Sequence, residues 1–272
     1  MKLLAIGPGQ STIELGNQLT NLNKDIKTLG LHRVFPFLKE EFDIDIDYWT
    51  WGDPEAIEKG INYIKENPNT PIPTMIVPWW YRSVEDFSKM IGTSPITKSK
   101  DRINLYHNFL EQYKDKVHYI ENAYASRYLT ENNQTPLDED GNLPLAYISN
   151  PKLRFSGQFT IFGTVPFDGK HSESNWAQEN KFTTAILPIA HYLKTTEIYC
   201  LGFDNKGGRI DSHVPQSHNN PDTIANYMKK MYPWVNEWKE YHKINIYSVT
   251  PDEYTPNNLI LEYKPLKELS NG

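Results

Sequence analysis

The 272-residue chain is long enough for one large α/β domain, or for one domain with a sizeable lid, built around a substantial core. Its net charge of −6, with acidic residues scattered throughout, leaves no basic face for a long nucleic acid, although local cations can still meet a small anion. No apolar run approaches the roughly 18 residues of a membrane span, and the first residues turn polar by Gln10, so neither a span nor a secretory leader is expected and a cytoplasmic location is.

In chain order, Lys2-Leu3-Leu4-Ala5-Ile6 reads as a buried strand that runs into Gly7-Pro8-Gly9-Gln10-Ser11-Thr12 and then a helix over 11–22. The two glycines permit a tight turn and Ser11 or Thr12 can cap the helix. The segment is therefore either a cradle for a phosphate or carboxylate at a helix start, or a turn and nothing more. It lacks the Walker lysine and the spacing of a dinucleotide fingerprint. Strands follow at 26–31, ending at His32-Arg33, and at 44–50. In the second, Phe42-Asp43-Ile44-Asp45-Ile46-Asp47 alternates strictly and would set three carboxylates on one solvated edge face. Asp53-Pro54 opens a helix over 54–65. A strand over 73–78 leads to Trp79-Trp80-Tyr81, helices are expected at 84–91 and 101–114, and a strand at 117–120.

Residues 125–176 differ from the rest: they are rich in Asn, Pro, Gly and Ser with few periodic apolar positions, and read as a lid-like insertion. A helix over 177–193 then precedes the strand Glu197-Ile198-Tyr199-Cys200-Leu201. That strand stops abruptly at Gly202-Phe203-Asp204, with Asn205-Lys206-Gly207-Gly208-Arg209 just beyond. A glycine at a strand end lets the backbone approach a ligand, and a carboxylate follows at once. A helix over 221–242, opened by Asn219-Asn220-Pro221-Asp222 and interrupted at Pro233, and a strand over 244–248 complete the series. Strands alternating with helices predict an α/β fold with a mostly parallel sheet, in one domain spanning 1–272.

Cys200, the lone cysteine, excludes internal disulfides and a thiolate metal cluster, and is expected to be a small buried side chain. Three Asp-x-Asp pairs exist, Asp43/Asp45, Asp45/Asp47 and Asp138/Asp140, but no neighbouring ligands complete a site, so no metal or other cofactor is expected. His213 and His218 follow the strand end that carries Asp204 and are the candidate general bases, or else solvated loop histidines. Lys206 and Arg209 can meet a phosphate, Arg with paired N–H donors, or simply decorate a charged loop. Thr183 and Thr184 can add hydroxyl and backbone donors at a helix start or act only as its caps.

Taken together, these blocks resemble the family-42 bacterial sialyltransferases and related Rossmann-like proteins. The family's Gly-Asn-Gly-Pro-Ser loop matches Gly7-Pro8-Gly9-Gln10-Ser11 in both glycines and the serine, with Pro8 in place of the nucleotide-contacting asparagine. His32-Arg33 and Asp53-Pro54 stand where the family has an asparagine and an Asn-Pro or Asp-Pro. Lys181-Phe182-Thr183-Thr184-Ala185 resembles its Arg-Ile-Thr-Ser-Gly, and Gly202-Phe203-Asp204 its Gly-Ile-Asp. Its Ser-His pair with a second histidine three residues on becomes Ser212-His213 with His218 five residues on. Ile244-Asn245-Ile246-Tyr247-Ser248 and Pro251 resemble its last strand and loop.

The resemblance implies a Rossmann-like, GT-A-like glycosyltransferase, metal-independent and inverting, that moves a sugar, sialic acid from CMP-sialic acid being the family's case, to a hydroxyl acceptor such as a glycan. His218 is then the base. Gly7, Pro8, Gly9, Gln10, Ser11, His32, Arg33, Asp53, Lys181, Thr183, Thr184, Gly202, Phe203, Asp204 and Lys206 are the substrate-side residues, and the family's leaving-group tyrosines are replaced by Lys206 and Arg209. Two alternatives fit the same blocks: a pterin-type diphosphokinase using ATP and magnesium, which shares the Gly-rich start and the Gly-Phe-Asp strand end, and a non-catalytic nucleotide- or glycan-binding module.

Overall fold

The computed structural model describes residues 1–51, 54–84, 100–120, 186–203, 210, 239, 243–251, 253 and 261–270. Its elements in chain order are β1 (Lys2–Ile6), α1 (Gln10–Leu15), β2 (Ile26–Leu31), α2 (Val34–Phe42), β3 (Tyr48–Thr50), α3 (Pro54–Glu66), β4 (Thr74–Pro78), α4 (Lys100–Gln112), β5 (Val117–Ile120), α5 (Leu187–Tyr192), β6 (Glu197–Leu201), β7 (Asn245–Ser248) and β8 (Glu262–Tyr263). The chain divides into two compact units, Met1–Met75 with Leu193–Gly272, and Ile76–Tyr192.

In the first unit the strands lie in the order β4-β3-β2-β1-β6-β7-β8, with the unit boundary falling inside β4. β1 is the centre. It pairs in parallel with β2 from Lys2↔Ile26 to Ile6↔Gly30 and with β6 from Lys2↔Glu197 to Ile6↔Leu201. The pairs β2–β3, β3–β4, β6–β7 and β7–β8 are parallel as well. Leu3 through Ile6 and Ile198 through Leu201 are buried, as expected of strands covered on both faces, which explains their unbroken apolar runs. The α/β, parallel-sheet expectation therefore holds. In the second unit β5 lies beside β4, and Ile103, Tyr106, Phe109 and Leu110 of α4 are buried with Ile189 and Ala190 of α5.

Several boundaries differ from the sequence-based expectation. The strand over 44–50 contracts to Tyr48–Thr50, and it is an interior strand between β2 and β4 rather than an edge. The cause lies upstream in α2, which the sequence reading missed although Pro36 sits in its first turn and Val34, Phe35 and Leu38 are buried. Asp43 ends α2 in the left-handed region at φ 51, its N–H reaching Leu38 and Lys39 carbonyls. Lys39 Nζ then holds the Asp43 and Asp45 carboxylates at 2.6 and 2.9 Å. Asp47 turns back to β2, accepting from Lys27 Nζ at 2.7 Å, Thr28 N at 2.9 Å and Thr28 Oγ1 at 3.0 Å. The three carboxylates thus share neither a strand face nor a cation-binding cluster.

The helix expected over 11–22 is α1 followed by a 3₁₀ helix from Gly16, whose missing Cβ leaves room for the Phe42 ring. β8 and a final 3₁₀ turn over Leu266–Leu269 were not anticipated. The expected helix over 221–242, apart from Lys239, and the insertion over 125–176 lie outside the described residues, as do 85–91 and 177–185 of the helices expected at 84–91 and 177–193.

Trp49 is a packing hub of the first unit. Its ring is 5.1 Å from Phe35 and 4.4 Å from Trp51, and its indole N–H donates to the His32 carbonyl at 2.6 Å. A Cβ on Gly60 of α3 would lie 2.1 Å from the edge of this fully buried ring. Helix propensity favours Gly60→Ala by about 0.8–1.0 kcal/mol, but overpacking against an immobile ring costs about 1–3 kcal/mol. The variant is expected to be the less stable by about 1 kcal/mol in chemical denaturation. An increase in midpoint would mean that Trp49 yields freely.

On β6, the Tyr199 phenol donates to Glu197 at 2.5 Å, and Lys2 lies 3.6 Å from the same carboxylate. The phenol's hydrogen bond is the leading cause that holds the Glu197 carboxyl below its ordinary value, with burial opposing. A folded value below the unfolded one means that the stabilisation is complete above about pH 4.3 and is lost as the pH falls through the folded value. Tyr199→Phe should therefore cost about 1 kcal/mol at pH 7. The gap from the parent should narrow below about pH 4 in denaturant titrations, and a gap that stays constant down to pH 3 would exclude this linkage.

Candidate functional site

The strands after β1 step outward in one direction, β2, β3, β4, whereas β6 returns to the other side of β1. In open α/β sheets this reversal of order leaves a crevice at the strands' carboxyl ends, where ligands bind. Here that place is defined by the Gly7-Pro8-Gly9 loop after β1 and Gly202-Phe203 after β6.

The two loops are stitched by their backbones. Gly7 N–H donates to the Leu201 carbonyl at 2.7 Å and Gly9 N–H to the Gly202 carbonyl at 3.0 Å. Only glycine fits at two of these positions. A Cβ on Gly7 would lie 2.6 Å from the Gly202 oxygen, and one on Gly202 would lie 2.2 Å from Thr12 Oγ1 and 2.3 Å from the Gly7 oxygen. Gly202 also has φ +77, in the left-handed region that side chains disfavour. Thr12 Oγ1 donates to the Gly7 carbonyl at 2.8 Å, and Gly202 N–H is accepted by Ser11 Oγ at 3.1 Å and Thr250 Oγ1 at 3.2 Å. Phe203 Cε1 lies 3.4 Å from where a Gly7 Cβ would be, so the ring lies against that glycine. Downstream, Ile210 N–H donates to the Pro8 carbonyl at 2.9 Å, tying that residue to the same turn.

This geometry alters the reading of the first loop. The sequence leaves it either an anion cradle or a turn. Its Gly7 and Gly9 N–H groups bond to β6 and Gly202, Thr12 N–H bonds to the Gly9 carbonyl at 3.1 Å, and Pro8 has none. The glycines thus serve close backbone approach. Gln10 is directed to Glu14, its Nε2 2.7 Å from Oε1.

One strand over, β2 ends at His32, which is buried and held at φ 54. Its N–H donates to Thr50 O at 2.8 Å while its carbonyl accepts the Trp49 indole N–H. A bulky residue in this region is strained by about 1–2 kcal/mol, and such strain gathers at functional positions. Arg33 follows, also buried, at the N-cap of α2.

Asp53, Lys181, Thr183, Thr184, Asp204, Lys206, Arg209, His213 and His218 lie outside the described residues. Among the described residues no group of three or more His, Cys, Asp or Glu is placed to hold a metal ion; Asp138 and Asp140 are outside them. Cys200 is a free, fully buried thiol whose pKa burial pushes up, in line with an inert core side chain. Tyr81 is buried after β4. The sequence reading did not single out Thr12 and Thr250 as site residues; the available signal was a hydroxyl residue just past a strand end, Ser248-Val249-Thr250 after β7.

No protein-family model matches the sequence, and no curated protein does. Solved structures that match across the whole chain include the sialyltransferase CstII in complex with a trisaccharide acceptor and CMP, at 13% identity, 88% of that chain and a TM-score of 0.45. CstII from Campylobacter jejuni in complex with cytidine-5'-monophosphate matches at 14% identity, 87% of that chain and a TM-score of 0.46. The monofunctional α-2,3-sialyltransferase Cst-I from the same organism matches at 14% identity, 82% of that chain and a TM-score of 0.45. Identities this low do not transfer residue roles. The α/β assignment rests on this chain's own strand order and register. Among the described residues no helix is long and apolar enough to cross a membrane.

Proposed function

We propose that the protein is a cytoplasmic glycosyltransferase that takes a nucleotide-activated sugar, with CMP-sialic acid as the first candidate, and transfers the sugar to a hydroxyl acceptor without a metal ion and with inversion. The observation that carries this reading is the pair of glycine loops stitched together where the strand order reverses. The motif resemblance of the same loops and of the segment beyond them supplies the choice of reaction.

In this reading the nucleotide lies over Gly7, Gly9 and Gly202, with Asp53 and Asp204 as acceptors for its hydroxyl or amino groups and Phe203 as an apolar wall. Because the Gly7 and Gly9 N–H groups are already engaged and Pro8 has none, side-chain cations oppose the phosphate in this reading. Arg209 and Lys206 are placed for this by sequence, Arg209 being the neighbour of Ile210, whose N–H is bonded to Pro8. His218, or His213, takes the proton of the acceptor hydroxyl as its oxygen attacks the anomeric carbon. The bond from that carbon to the phosphate oxygen breaks, and the electron pair leaves with the nucleotide.

The test is a thermal-shift series with CMP, UDP, GDP and ATP, each with magnesium and with EDTA. A ligand at 100 times its Kd adds about 2.7 kcal/mol to apparent stability. CMP is expected to raise Tm equally in both buffers. A rise with ATP that requires magnesium would favour the diphosphokinase, and no rise with any nucleotide would sink the nucleotide site.

A further inference from the structure

Gly202 N–H lies one residue past the last β1–β6 register pair, Ile6↔Leu201, where no strand carbonyl receives it. Two buried hydroxyl oxygens take it instead, Ser11 Oγ and Thr250 Oγ1, which are 191 and 48 residues away in sequence. The Thr250 hydroxyl is itself oriented. Its proton is directed to the Cys200 carbonyl at 3.4 Å, which turns its oxygen toward Gly202. The Thr250 backbone is fixed in turn, its N–H on Ser248 Oγ at 3.3 Å and its carbonyl accepting from that hydroxyl at 3.4 Å. Val249 N–H bonds to the Cys200 carbonyl at 2.9 Å. The end of β7 is thereby built around one function, presenting an acceptor to the exit of β6.

We propose that Thr250 is a positioning residue of the site: with Ser11 it holds Gly202 N–H, and so fixes the left-handed exit of β6 that lays Phe203 on Gly7. Ser11 belongs to the first loop, whereas Thr250 lies outside it and reaches it through Gly202, so it is the cleaner handle. The functional half of the inference rests on the nucleotide reading above.

The experiment compares the parent protein with Thr250→Val, which keeps the shape but loses the oxygen, and Thr250→Ser, which keeps the oxygen. Hydrogen exchange is followed without ligand, and CMP affinity by calorimetry. Thr250→Val is expected to speed exchange locally, at Gly202 and Phe203 by about tenfold, with β1 protection retained, and to weaken CMP binding by about tenfold, the effect of losing roughly one well-made hydrogen bond. Thr250→Ser is expected to restore both to within about twofold of the parent. Folded Thr250→Val with unchanged exchange at Gly202, or with exchange raised uniformly through the sheet and CMP affinity intact, overturns the proposal. If Thr250→Val does not fold, Thr250→Ala against Thr250→Ser supplies the same comparison. A parent protein that binds no nucleotide would defeat the nucleotide reading, while the exchange data would still decide whether Thr250 holds the β6 exit.

Discussion

Gly202→Ala is expected to lose about 2–5 kcal/mol of folding stability, the sum of a left-handed backbone cost of about 1–2 kcal/mol and an overpacking cost of about 1–3 kcal/mol. The space for a methyl group does not exist: it would sit 2.2 Å from Thr12 Oγ1 and 2.3 Å from the Gly7 carbonyl oxygen. Thr12 can swing aside only by giving up its hydrogen bond to that carbonyl. The Gly7 oxygen belongs to the backbone and cannot move without pulling its loop away from Leu201. Against a total of about 5–15 kcal/mol for a native domain, the loss is large enough to read from a single denaturant titration. Any molecules that fold should bind nucleotide poorly, because relief of the clash separates the two loops. A Gly202→Ala protein within about 0.5 kcal/mol of the parent would mean that the contact between these loops is loose.

His218→Ala is expected to lower turnover by about 10²–10⁴-fold while leaving donor affinity within about twofold. In the proposed reaction the base would remove the acceptor's proton in the transition state and do little for the bound nucleotide, so kcat should fall and KM for the donor should hold. The same substitution at His213 is expected to act weakly. Turnover lost at His213 and kept at His218 would move the base to His213, and turnover kept in both variants would leave the loop without a catalytic role.

The parts of the fold that were legible in the sequence are those whose causes are local. β1 and β6 announced themselves as short apolar runs because parallel strands beside the sheet centre are covered on both faces, and the residues that end them, Gly7 and Gly202, were readable as points of close approach. The run Phe42 to Asp47 misled because its alternation imitates a strand, whereas the carboxylates answer partners that periodicity does not reveal: Lys39 on the preceding helix and Lys27 and Thr28 on β2. α2 was missed in the same stretch, its end set by a left-handed aspartate rather than by a glycine.

At the site, the sequence marked the two glycine loops but not what their N–H groups do. Whether Gly9 N–H faces a ligand or Gly202 depends on β6 lying next to β1, a pairing between segments nearly 200 residues apart. Thr250 was hidden for the same reason: its place just past a strand end was readable, but its partner, Gly202, is 48 residues away in sequence. The strained backbone of His32 was equally invisible, because it is imposed by Thr50 and the Trp49 indole from the neighbouring strand.

The most direct measurement of the central claim is the release of free nucleotide from CMP-sialic acid by the purified protein in EDTA, with and without a glycan acceptor. Nucleotide should appear in the absence of any divalent ion, faster when the acceptor is present, and the His218→Ala protein should lose that release while still binding CMP. No release from CMP-, UDP- or GDP-sugars, together with magnesium-dependent consumption of ATP, would contradict the glycosyltransferase reading.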